Sequence, residues 1–186
     1  MQKPQFLSAG QCSFYVIDPQ ERLMAKIHEA DRVVGNISLM INLARILDIP
    51  VITSTQYKKG VGPIVPEIAE QLGEVDCPDK VEFNGLDNPG VKELFDGLSP
   101  SVDTLLLCGV ETHICVYQSA IGALREGYKV RVVADAVSSR DPENDSLGRE
   151  RLRELGAVLA PAEMVIYELL RKAGTPEFKA MLPWLK

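Results

Sequence analysis

Histidine is nearly absent: His28 and His113 are the two in 186 residues. That scarcity speaks against a histidine-built metal centre. Cysteine is sparse too. Cys12, Cys77, Cys108 and Cys115 are scattered with no C-x-x-C spacing, which disfavours zinc fingers, thioredoxin-type redox sites and a disulfide framework. No apolar run approaches the roughly 18 residues of a membrane span. Met1 to Gln11 lacks the apolar centre of a signal peptide, so the sequence reads as cytoplasmic. Positive charge is in deficit, at 20 Lys and Arg against 26 Asp and Glu. A net charge of −6 argues against nucleic acid or an anionic membrane as partner. Neither a G-x-G-x-x-G after the first strand nor a Walker A motif is present, so standard dinucleotide and P-loop sites are excluded. No cofactor is implied.

What is present is ordinary globular material. The hydrophobic share of 46% and charged share of 25% fit one domain over residues 1–186. Apolar, β-branched runs of strand length occur at Ser13–Ile17, Val51–Thr55, Asp103–Cys108, Lys129–Ala134 and Ala157–Ala160, with a weaker alternation at Lys80–Phe83. Between them lie helical patterns at Ala30–Leu47, Pro66–Leu72, Asn88 to about Leu98, Ile114 to Gly127 and Asn144–Leu155. Two more, Ala162–Leu170 and Pro176–Leu182, follow the last strand. Gln56–Pro66 reads as a Gly/Pro/Lys loop long enough to cover a site. Alternation of this kind predicts an α/β fold of three layers, with a six-stranded parallel sheet between helices.

The chain is organised around Asp103 to Gly127, and there around Cys115. An apolar strand ends at Gly109, and a helix follows with Thr112 as its expected N-cap. Cys115 then falls in the first helical turn, where the helix dipole and free N–H groups favour a thiolate and can hold an oxyanion. The expectation is that Cys115 reacts first of the four with an alkylating agent at neutral pH. Against this stands the usual fate of a free cysteine, which is to pack as a small hydrophobe.

If the strand order is 3-2-1-4-5-6, strands one and four meet where the winding reverses, and ligands bind at that point. Asp18 ends strand one and Cys115 follows strand four, so topology would bring acid and thiol together. His113 is two residues from Cys115, and residues two apart on a helix do not face each other, so a Cys-His pair is disfavoured. A lysine beside the acid is the alternative, with Lys80 the candidate.

Four ordered segments then carry a resemblance: D-P-Q at Asp18–Gln20, K-x-x-F at Lys80–Phe83, G-V-E-T-H-I-C-V at Gly109–Val116, and V-A-D-A-V-S-S-R at Val133–Arg140. Together they resemble the isochorismatase-like cysteine hydrolases, near the nicotinamidase and N-carbamoylsarcosine amidase superfamily. The likeness is greatest to the isochorismatase domain-containing proteins and runs from about Ser13 to Glu168. It implies a Rossmann-like fold and a catalytic triad of Asp18, Lys80 and Cys115. It also implies a cis peptide at Val110–Glu111 and an oxyanion hole from the N–H groups of Glu111 and Cys115. Nicotinamidases of that superfamily hold a metal through an Asp-x-His segment after strand two. Here that region reads Thr53-Ser54-Thr55-Gln56-Tyr57, so no metal is expected. The presence of Cys115 likewise speaks against isochorismate as substrate. The expectation is a metal-independent hydrolase of a small amide or related C–N bond, working through a thioester. Gln20, Gln56, Tyr57 and Phe83 are the candidate pocket wall, and the resemblance implies a homo-oligomer, a dimer or tetramer. A non-catalytic binding or scaffold protein that kept the fold is the competing reading. A redox-sensing thiol is disfavoured, because Cys108 lies within a strand.

Overall fold

A computed structural model describes residues 5–185 of the chain. Its six strands are β1 (Cys12–Ile17), β2 (Val51–Gln56), β3 (Asp79–Lys80), β4 (Thr104–Val110), β5 (Lys129–Ser138) and β6 (Val158–Ala160). They form one sheet in the order β3-β2-β1-β4-β5-β6, with every pairing parallel. The sequence-based expectation of fold and strand order therefore holds. The helices are α1 (Glu21–Met24), α2 (Ala30–Ile46), α3 (Lys58–Val61), α4 (Pro66–Leu72), α5 (Pro89–Asp96), α6 (Tyr117–Arg125), α7 (Pro142–Glu154), α8 (Ala162–Leu170) and α9 (Pro176–Met181).

The central strand shows why the apolar runs are unbroken. Every residue of β1 is buried, and successive side chains serve opposite faces. Phe14 and Val16 join Val33, Ile37 and Met40 of α2, together with Ile166 of α8. Tyr15 and Ile17 join Phe95 of α5, Ala120 of α6 and Leu152 of α7. Two cores separated by one sheet leave no polar face on the inner strands.

β1 and β4 lie side by side at the point of reversal, and their contact has no slack. Gly109 pairs with Ile17 and has a φ of +117°. A Cβ there would stand 2.0 Å from the Ile17 carbonyl oxygen, a backbone atom that cannot yield. Only glycine satisfies both the close approach and the left-handed backbone.

Beyond shifts of a residue or two, four segments differ from the expected ones for physical reasons. β3 spans Asp79–Lys80 rather than Lys80–Phe83; its bonds to β2 end at Gln56, and the following residues turn into the single helical turn Gly85–Asp87. β4 runs on through Gly109 to Val110. β5 continues to Ser138 because it carries a bulge: Leu107 pairs with Val132 but Gly109 pairs with Val137. The carbonyls freed there are not stranded. Arg149 donates to Ala134 and Val137, while Arg32 and Asn36 donate to Asp135. Lastly, the expected loop 56–66 contains α3.

Candidate active site

The ends of β1, β2, β3 and β4 converge at their carboxyl edge, and they or the turns that follow supply the polar groups of the site. Asp18 follows β1 directly in a left-handed conformation, φ +51°, which aspartate tolerates better than most residues. β3 is two residues long, but it buries the Lys80 side chain completely. Lys80 Nζ stands 2.6 Å from Asp18 Oδ2 and 2.6 Å from Gln56 Oε1, and it donates to the Glu82 carbonyl at 3.3 Å. All three ammonium protons are thus placed. Asp18 is fully buried, and Ser54 Oγ donates to its Oδ1 at 2.9 Å. The Cys115 Sγ lies 4.0 Å from Gln56 Oε1 and also engages Asp18.

The local structure around Cys115 differs from a plain helix start. Thr112–Val116 forms a π-helical turn ahead of α6, with Glu111 in the capping position. Thr112 does not cap; its hydroxyl donates to the Asp145 carboxylate in α7. π turns inside helices are frequent at functional sites. The Val110–Glu111 peptide bond is cis. The Glu111 carboxylate accepts from the Arg140 backbone N–H at 2.9 Å, with Arg140 Nε at 3.6 Å.

Burial decides the protonation of this cluster. Cys115 is 6% exposed, and burial pushes its thiol up to about 12; Asp18 adds to the rise, and Lys80 opposes it. This runs against the thiolate expected at rest. Desolvation outweighs the opposing pull of the lysine. Asp18 is likewise raised by burial, against the opposing pull of Lys80, Ser54 and Cys115. Cys77 is exposed as a residue, yet burial of its sulfur raises that thiol as well, with Lys58 opposing. Cys12 and Cys108 are buried, their thiols raised by desolvation to about 11 and about 12. Fast alkylation of Cys115 by a simple electrophile does not follow from this geometry, because the thiol is covered and burial pushes its pKa up.

The four pocket-wall candidates separate. Gln56 sits between Lys80 and the thiol. Gln20 does not line a pocket: it is fully buried, and its amide is spent on backbone. It accepts from Gln56 N at 2.6 Å and donates to the Gln56 and Gly62 carbonyls at 3.2 and 2.6 Å, stapling the loop after β2. Tyr57 and Phe83 are each 50% exposed. His113 Nδ1 lies 2.8 Å from Ser139 Oγ. Two contributors were missed from sequence, Ser54 and Tyr15. Ser54 faces Ile17 in the β1–β2 register, and that position beside Asp18 was the available signal. Among the described residues, no group of three or more His, Cys, Asp or Glu is placed to hold a metal, and no helix is long and apolar enough to cross a membrane.

A buried acid, a lysine and a thiol thus meet at the switch point of an all-parallel, three-layer α/β sheet. The isochorismatase domain family matches residues 13–164, and the chain belongs to that family of hydrolases. It is 37% identical to the secreted isochorismatase effector Isc1 of Phytophthora sojae, over 92% of this chain and 83% of that protein. Among solved structures it resembles the MAR1 ribonuclease of Caenorhabditis elegans, with TM-score 0.88 and 31% identity over 97% of this chain and 92% of that one. It also resembles YcaC from Pseudomonas aeruginosa with hexane-2,5-diol and covalent acrylamide, with TM-score 0.90 and 25% identity over 99% and 93%.

Proposed function

We propose that the chain is a metal-independent cysteine hydrolase of a small amide or related C–N bond. The observation that carries this is the buried meeting of Asp18, Lys80 and Gln56 beside the Cys115 thiol. Sulfur attacks the amide carbonyl as its proton passes to the Asp18 carboxylate. A resting thiolate is not required, because the proton leaves during attack. The oxyanion is received by the N–H groups of Glu111 and Cys115. The amine departs with the proton from Asp18 and leaves a thioester. Water then attacks the thioester, giving its proton to Asp18; the departing sulfur recovers it, and the acid is released. Lys80 keeps its proton throughout and compensates the charge on Asp18. Tyr57 and Phe83 form the outer wall.

A covalent acrylamide in the P. aeruginosa relative supports a nucleophile able to bond a small electrophile. The ribonuclease reading of the C. elegans relative suits this chain poorly, since a net charge of −6 gives a phosphate backbone little purchase. The scaffold reading draws on the covered, protonated thiol. Self-association is supported by the exposure of Met164 and Tyr167 on α8 and of Leu182 and Trp184 near the described end of the chain.

The test is ammonia release from a panel that includes nicotinamide, acrylamide, benzamide and a carbamoyl amino acid. We expect one or more to be hydrolysed, and EDTA to leave the rate unchanged. Loss of activity in EDTA with recovery on adding zinc would overturn the metal-independent step. Silence across the panel favours the scaffold.

A further inference from the structure

The mechanism leaves two buried hydroxyls beside the acid unexplained. Tyr15 and Ser54 are both fully buried. Tyr15 Oη lies 2.9 Å from Ser54 Oγ, and Ser54 Oγ lies 2.9 Å from Asp18 Oδ1. Proton counting fixes the direction of this chain. An ionised carboxylate only accepts, so the single Ser54 proton goes to Asp18. Ser54 Oγ is then left as an acceptor, and the Tyr15 hydroxyl must be the donor to it. Tyr15 is itself held on two sides. Its ring meets Phe95 edge-on at 5.3 Å, and Gly85 leaves room for its hydroxyl, since a Cβ there would stand 2.0 Å from Oη.

We propose that Tyr15 and Ser54 are positioning residues: a one-way hydrogen-bond relay, Tyr15 to Ser54 to Asp18 Oδ1, that fixes the acid's orientation and sets its affinity for a proton. The two carboxylate oxygens then divide their work. Oδ1 takes the relay and Oδ2 takes Lys80, which fixes the carboxylate plane relative to the thiol. This rests on the reading of Asp18 as the group that moves the proton. The relay adds a hydrogen bond that favours the ionised carboxylate in a site where burial disfavours it. Besides the relay, the ionisable groups facing Asp18 are Lys80 from β3, Cys115 from the π turn and Cys77 from the segment before β3. None of these is altered by changes at Tyr15 or Ser54.

The experiment follows the Asp18 side-chain carboxyl by carbon-13 NMR through a pH titration of the full chain, without substrate. Removing a donor to the carboxylate destabilises its charged form, so the midpoint should move upward. We expect a rise of about one pH unit in Ser54→Ala and a smaller rise in Tyr15→Phe. Because Tyr15 acts through Ser54, adding Tyr15→Phe to Ser54→Ala should give no further shift. Ser54→Thr, which keeps the hydroxyl, should restore the original midpoint. A packing role alone would leave the midpoint unmoved in every variant, and that result overturns the relay. Equal, additive shifts would overturn the one-way order. Asp18→Asn identifies the resonance. If Ser54→Ala fails to fold, Tyr15→Phe alone decides, since it removes one oxygen from a chain otherwise intact. The outcomes separate from those of the hydrolase reading. A shifted midpoint with no amide turned over keeps the relay and removes the hydrolysis; an unmoved midpoint with turnover does the reverse.

Discussion

Cys115→Ser is expected to lower hydrolysis of any amide substrate by at least about a thousandfold, with the fold intact. The reason is specific to this site. The mechanism hands the thiol proton to Asp18 during attack, and sulfur accommodates that despite being covered. A serine hydroxyl is a far weaker acid, and Asp18 is not basic enough to activate it. Burial already strains the exchange by pushing the thiol up to about 12. The swap removes little volume, and the hydroxyl can hydrogen-bond where the thiol does, so denaturant midpoints should barely move. Hydroxylamine gives a second view. With the unaltered protein it should divert the thioester to a hydroxamate, and Cys115→Ser should form none. Full turnover in Cys115→Ser would end the nucleophile assignment and give the scaffold reading its place.

Lys80→Met should destabilise the protein by about 3–5 kcal/mol at neutral pH as well as abolish turnover. Both members of the Asp18–Lys80 pair are fully buried, 2.6 Å apart. Removing the ammonium leaves a carboxylate with no counter-charge where water does not reach. The acid escapes by taking up a proton, so its pKa, already raised by burial, rises further once the first opposing influence is gone. A folded-state value above the unfolded one contributes stability that is complete below the unfolded value and lost as pH rises through the folded one. The deficit should therefore shrink as pH falls from 8 toward 5. Asp18→Asn combined with Lys80→Met should recover much of the loss, because no net buried charge remains. Urea denaturation at several pH values measures both variants against the unaltered protein. A loss below about 1 kcal/mol at pH 7, or a deficit that grows toward acid, would show that the pair is not the buried charge couple described here.

The inner strands were legible in the sequence for the reason that they are buried on both faces. Ser13–Ile17 and Val51–Thr55 have no polar alternation to confuse them with surface strands, and the observed β1 and β2 differ by one residue each. α8 was read to the residue because its apolar spacing ends at both sides of the segment. β3 was not legible. Two residues held by two register pairs carry no periodicity, and Lys80 is fixed by tertiary contacts instead. The bulge in β5 was hidden because Asp135 looks like a strand end, although it lies inside the strand, where its carboxylate accepts from Ala162 N at 2.7 Å. Within the site, Asp18, Lys80 and Cys115 could be placed by topology and resemblance. The protonation of Cys115 could not, since local features pointed to a thiolate and only packing shows how thoroughly the sulfur is covered. Tyr15 reads as a core aromatic and Ser54 as filler until the register sets them beside the acid.

The place of β1 in the sheet also bears on how the chain is made. Its neighbour β2 follows closely, but its other neighbour, β4, is complete only when synthesis has passed Val110. At a ribosomal pace of about 5–20 residues per second, the uncharged segment Cys12–Ile17 waits roughly 5–20 seconds with one edge unpaired. The other crossovers of this all-parallel sheet are shorter and impose briefer waits, and long-range pairing is slow to close once the partners exist. A chain released or stalled between β2 and β4 therefore presents an apolar edge suited to pairing with another copy.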